Sequence, residues 1–160
     1  MWLMRRKERE ITDIDAILSI LSRCSAGRLC FCTEERPYIV PLCFAYRCEE
    51  GRLTLIFHGA REGRKLDMLL QNPIACFEAD IPGAVVCGST PEATTMRYES
   101  VIAFGSCRLL EDASERLEAL QALSERYAPG VPFTASAEAM AHTALFVLEA
   151  EEVTAKRNLG

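Results

Sequence analysis

The chain has 160 residues, 49% hydrophobic and 26% charged, with a formal net charge of -5 at pH 7. That length suits one domain spanning residues 1–160, and the composition argues against a disordered chain and against a fibre. The 18 basic residues are outnumbered by 23 acids, unlike a dedicated nucleic-acid binder, and no uncharged apolar run reaches the ~18 residues of a membrane span.

The start, Met1-Trp2-Leu3-Met4-Arg5-Arg6-Lys7, places its basic residues after a very short apolar stretch, the reverse of a secretory signal. Eight cysteines in a chain of this size are too sparse for a disulfide scaffold, so free, mostly buried thiols in a reducing cytoplasm are expected. Thr12-Asp13-Ile14-Asp15 reads as a hydroxyl N-cap with acids in the first turn. The helix it opens carries Ile14, Ile17, Leu18 and Leu21 and ends at Ser25-Ala26-Gly27. Residues 28–33 and 38–47 read as a hairpin around Glu34-Glu35-Arg36-Pro37, and residues 53–58 as a third antiparallel strand after Glu49-Glu50-Gly51. A short helix with Leu66, Leu69 and Leu70 on its apolar stripe stops at Asn72-Pro73. Strands are predicted over 74–79 and 98–110, with a loop from Pro82 to Thr95 between them. Asp112 and Glu115 open a helix with Leu117, Leu120, Leu123 and Tyr127 on its stripe; a strand over 143–148 and a short basic tail, Lys156-Arg157-Asn158, follow. The total is mainly β with helices, an α+β chain of six antiparallel strands forming a small closed barrel.

The stretch from Phe57 to Leu66 carries the most chemistry. It leaves a strand, crosses a turn marked by Gly59 and Gly63, and enters a helix through Arg64 and Lys65. Glycines admit close backbone approach, the new helix has free amides, and two cations stand beside them, which together suit a phosphate dianion. A solvated basic helix start would read the same way. His58 falls on the strand face opposite Leu55 and Phe57, where it meets either a ligand or water, whereas His142 reads as structural. Pro41 interrupts an apolar strand and removes a ladder donor, so that strand should be bulged or at an edge. Cys30 and Cys32 share a face, but no second cysteine pair completes a zinc spacing, and no metal site is expected. Neither a Gly-x-Ser-x-Gly elbow, nor a Walker-type loop, nor a Rossmann fingerprint is present.

Four segments in order, Met4 to Ile11, Pro37 to Leu42, Phe57 to Lys65 and Tyr98 to Val101, resemble the pyridoxamine 5'-phosphate oxidase-like flavoproteins. Their order and spacing look most like the 5-nitroimidazole-resistance type, over residues 5–157. The resemblance implies a split β-barrel homodimer with FMN in a groove between subunits. It implies that Val40, Pro41, Leu42 and Cys43 line the isoalloxazine and that His58, Gly59 and Ala60 flank the flavin and its ribityl chain. Gly63, Arg64 and Lys65 would form the phosphate turn, Glu99 and Ser100 would lie near the site, from the same or the partner subunit, and His58 would lie closest to substrate. Cys43 stands where relatives often carry Asn or Ser. The implied activity is reduction of a small electrophile such as a nitro-aromatic compound by a nicotinamide donor; a flavin-binding, sensing or storage protein is the alternative. Pyridoxamine 5'-phosphate oxidation would need a second phosphate site, and haem handling ranks last because only two histidines could supply an axial ligand.

Overall fold

A computed structural model describes residues 4–33 and 36–159, so the predicted turn at Glu34 and Glu35 lies outside the described residues. The strands are β1 (Glu10–Ile11), β2 (Gly27–Cys32), β3 (Pro37–Leu42), β4 (Phe44–Glu49), β5 (Arg52–Ala60), β6 (Ile74–Val86), β7 (Thr95–Leu109) and β8 (Thr143–Asn158). The helices are α1 (Ile14–Arg23), α2 (Arg64–Gln71), α3 (Ala113–Tyr127) and α4 (Ala137–His142). Among the described residues no helix is long and apolar enough to cross a membrane.

All strands join one antiparallel sheet in the order β3-β2-β6-β7-β8-β5-β4, with β1 added beside β8. Among the described residues, eight strands therefore replace the six expected. One reason is a break at Cys43: the apolar run through residues 38–47 is two strands, β3 pairing with β2 and β4 pairing with β5 at the opposite end of the sheet. These end strands are joined by the chain at Cys43 and not by ladder hydrogen bonds, so the sheet is open, where the pattern alone predicted a closed barrel. Pro41 sits on an end strand, as its missing donor requires. The predicted loop from Pro82 to Thr95 is shorter than expected: β6 runs on to Val86 and β7 starts at Thr95, which leaves residues 87–94 as the connection, and the register shifts between Pro82 and Val85. The predicted basic tail is the end of β8.

Two cores sit on opposite faces of the sheet. On the inner face Phe44 meets Phe77 with ring centroids 5.0 Å apart, and Phe57 stacks on Phe146 at 5.3 Å. Helix α1 covers one end of this core through Ile17, Ile20 and Leu21. Its N-cap is the Asp13 carboxylate, accepting from the Ala16 N–H at 2.9 Å, one residue later than the predicted hydroxyl. On the outer face α3 lays Ala119 and Leu123 on Ala45, Ile56, Leu145 and Val147, so the centre of β8 is buried on both sides. Each fully buried Leu, Ile or Phe contributes roughly 1.5–3 kcal/mol relative to exposure, which fixes the register of β4, β5 and β8. The helix stripes differ from the prediction where a smaller or more flexible neighbour packs better. Met68 is buried while Leu70 is 70% exposed, and Ala119 is buried while Leu117 is 47% exposed. Of the eight free thiols only Cys24 and Cys107 are buried, fewer than expected.

Candidate functional site

Strand β5 ends where its inner-face side chains, Leu53, Leu55 and Phe57, run out at Gly59. Lys65 folds back over that glycine: a Cβ built at position 59 would stand 2.6 Å from Lys65 Cε and 2.7 Å from Nζ. Glycine is what allows the ammonium to rest against the strand backbone here. The chain then reaches Gly63, whose φ of 115° lies where side chains are strained, and Gly63 caps α2 without a side-chain hydrogen bond. Its carbonyl accepts from the N–H groups of Leu66 (2.9 Å) and Asp67 (3.3 Å). Helix geometry leaves the N–H groups of Arg64 and Lys65 without intrahelical acceptors. Arg64 stacks its guanidinium 5.2 Å from the Tyr38 ring centroid, so α2 and β3 meet across the split in the sheet. Arg36 and Arg64 also line an open groove of about 580 Å³ along α2.

Val40 and Leu42 are half-buried, and Pro41 and Cys43 are exposed on β3 and just beyond it. The next residue, Phe44, pairs with Phe57, the residue just before His58 on β5. The α3 terminus holds this corner. Tyr127 Oη accepts from the Phe44 N–H at 2.9 Å and donates to the Ser25 carbonyl at 3.0 Å. Arg126 lies 4.5 Å from the Phe44 ring centroid and donates to the carbonyls of Leu21 (2.7 Å) and Cys24 (2.6 Å). Residues 40–43, 58–60 and 63–65 thus gather in one region of one chain. Within it His58 shares the face of Ile56, opposite Gly59 and its lysine, so imidazole and ammonium do not converge on one point.

Glu99 and Ser100 lie elsewhere. They pair with Arg157 and Lys156 on β8, whereas Gly59 and Ala60 pair with Ala144 and Thr143 at the other end of the same strand. Ala144 and Lys156 are separated by roughly 40 Å of strand path at ~3.3 Å per residue. The Glu99 carboxylate is held by Arg23 and by Arg157, each at 2.5 Å, while Ser100 belongs to the outer-face groove with Ile102, Phe104 and Lys156. Arg23, with Arg157 adding to it and burial opposing, keeps the Glu99 carboxyl below its ordinary value of 4.5. A depressed folded-state pKa contributes stability that is complete above the ordinary carboxylate value and is lost as pH falls through the folded value. Glu99→Gln should therefore lower Tm at pH 7, and the gap from the wild type should narrow on acidification below about pH 4.5 in thermal melts; a gap independent of pH would remove the ion pairs from the explanation.

Sequence patterning missed several neighbours of the turn. Arg61 donates to the Ala141 carbonyl at 3.1 Å, bringing α4 and exposed His142 beside Ala60. Buried Arg116 fixes the same corner by donating to the carbonyls of Leu110 (3.1 Å), Met140 (2.6 Å) and Thr143 (2.9 Å). No local pattern signals contacts that span 24 to 80 residues of chain.

The profile described as pyridoxamine 5'-phosphate oxidase matches residues 13–157. Among solved structures, the chain is similar to a protein provisionally assigned to 5-nitroimidazole antibiotic resistance from Bacteroides thetaiotaomicron. The two are 27% identical over 92% of this chain and 86% of that one, with a TM-score of 0.80. It is also similar in fold to the flavocytochrome Anf3 from Azotobacter vinelandii, at 20% identity over 99% and 73% of the two chains with a TM-score of 0.84. The FAD and heme binding protein from Mycobacterium smegmatis gives 20%, 95%, 74% and 0.83 in the same order. No curated protein matches the sequence.

Proposed function

Because the chain belongs to the pyridoxamine 5'-phosphate oxidase family, we propose that it binds FMN at the β5–α2 turn and uses it to reduce a small electrophile, a nitro-aromatic compound being the favoured class. One observation carries the reading: the Lys65 ammonium rests on Gly59 at the open N-terminus of α2, with the Arg64 guanidinium alongside. Two cations and two free amides match the charge of nearly -2 on a terminal phosphate. The residues present therefore fit the group. The similarity to the Bacteroides protein favours the nitro-aromatic class.

Bound flavin would supply hydride acceptance and donation at its N5. The backbone of Val40 to Cys43 would line the ring system from an end strand, held in place by Tyr127 and Arg126. A nitro group that gains two electrons takes up two protons and releases water. His58 is exposed on β5 directly after Phe57, the partner of Phe44, which makes it the candidate to orient the acceptor and deliver a proton. Glu99 would anchor the strand ends through its two arginines, and Ser100 would reach the flavin only from a second copy in a homodimer.

The test is spectroscopic. Purified protein should be yellow, bleach anaerobically with NADH or NADPH, and recolour on addition of a nitroimidazole. His58→Ala should keep the flavin band and slow recolouring by about 10²-fold, the usual worth of a positioned proton donor. Equal rates would take His58 out of the reaction; bound flavin that no nicotinamide reduces would assign a binding or sensing role instead.

A further inference from the structure

Away from this site, the outer face of the β2–β6 ladder holds two thiols directly across from one another. Cys30 and Cys76 are Cα partners in that antiparallel register. Their neighbours Leu29, Phe31, Ala75 and Phe77 point into the core, so both sulfurs lie on the outer face. Each is half-buried and outside any disulfide, and each sulfur makes a long hydrogen bond to the carbonyl of the following residue, 3.7 Å for Cys30 and 3.9 Å for Cys76. Ile39 and Phe104 extend the same row on either side, and both expose apolar surface.

We propose that Cys30 and Cys76 are a redox pair that closes into a cross-strand disulfide on exposure to a small peroxide. Facing residues on antiparallel strands have Cα atoms ~4.5–5.5 Å apart, inside the ~4.4–6.8 Å range of disulfides. Their Cβ separation of ~4.5–5.5 Å needs to shrink by about 1 Å or less, which is local movement rather than strand rearrangement. The two S–H bonds break and one S–S bond forms. Two electrons and two protons pass to hydrogen peroxide, which becomes two waters. Burial pushes both thiols above the ordinary thiol range, so at neutral pH the reduced pair is mainly protonated and its closure by peroxide is slow, quickening as pH rises. Exposed Cys32 lies two residues from Cys30 on the same face and provides an internal comparison.

The full chain would be treated with hydrogen peroxide, alkylated under denaturing conditions and mapped by mass spectrometry. The expected result is a Cys30–Cys76 linked peptide within one chain, accompanied by a rise in Tm that dithiothreitol reverses. Cys30→Ser and Cys76→Ser should each abolish the link, and Cys32→Ser should leave it intact. A link through Cys32, a link between chains, or alkylation of both Cys30 and Cys76 after peroxide would overturn the proposal.

Discussion

Replacing Arg64 and Lys65 together by alanine is expected to strip FMN from the protein and leave its fold intact. Charge-assisted hydrogen bonds are worth about 1.5–3 kcal/mol each. Arg64 is exposed and Lys65 only half-buried, so solvent screening favours the lower end of that range. The pair should therefore account for roughly 3 kcal/mol, or a hundredfold or more in affinity. Helix α2 itself is secured by other residues: Leu66, Met68 and Leu69 are buried, and the Gly63 carbonyl still accepts from Leu66 and Asp67. Circular dichroism and Tm should stay close to wild type, while gel-filtered protein should emerge colourless and titrate with FMN far more weakly. Undiminished flavin content would move the phosphate away from this turn. Weakened binding together with a large fall in Tm would indicate a structural role for the two cations instead.

The turn was legible because its signals are local: a strand that alternates, two glycines and two cations follow one another within Phe57 to Lys65. The same holds for β2, β5 and the Asp112 cap of α3, which accepts from the Ser114 and Glu115 N–H groups at 2.9 and 3.0 Å. Legibility failed where an element buries nothing. From Pro82 to Val85 and from Cys87 to Arg97 every residue is exposed, so the facing ends of β6 and β7 show no alternation, and Pro82 and Gly83 read as part of the true connection at 87–94. It failed again where one apolar run serves two pairings, as at β3 and β4, since periodicity reports a strand's faces and not its partners. The pairings through Tyr127, Arg126 and Arg61 join residues 80 or more positions apart and depend on the finished topology. For Glu99 the local motif was visible, whereas its capture by Arg23 and Arg157 was not.

The second large effect concerns how the site is divided between copies. If Ser100 serves the flavin bound at another subunit's phosphate turn, a Ser100→Tyr chain should also purify colourless, because the added ring projects from the outer face of β7 into the groove beside Ile102 and Phe104. Two defects on different surfaces of one protomer can complement each other in trans. In a dimer of one Ser100→Tyr chain and one Arg64→Ala/Lys65→Ala chain, one site inherits both faults and the other inherits neither. Random reassembly of an equal mixture makes about half of the dimers mixed, so roughly one site in four should regain flavin. Differently tagged chains, refolded together and purified through both tags, would isolate the mixed dimers, which should bind about one FMN per two chains. This recovery cannot arise within a single chain, because Ser100 and Gly59 are registered at opposite ends of β8. Mixed dimers that stay colourless, or a Ser100→Tyr protein that is yellow by itself, would confine the flavin to residues of one subunit.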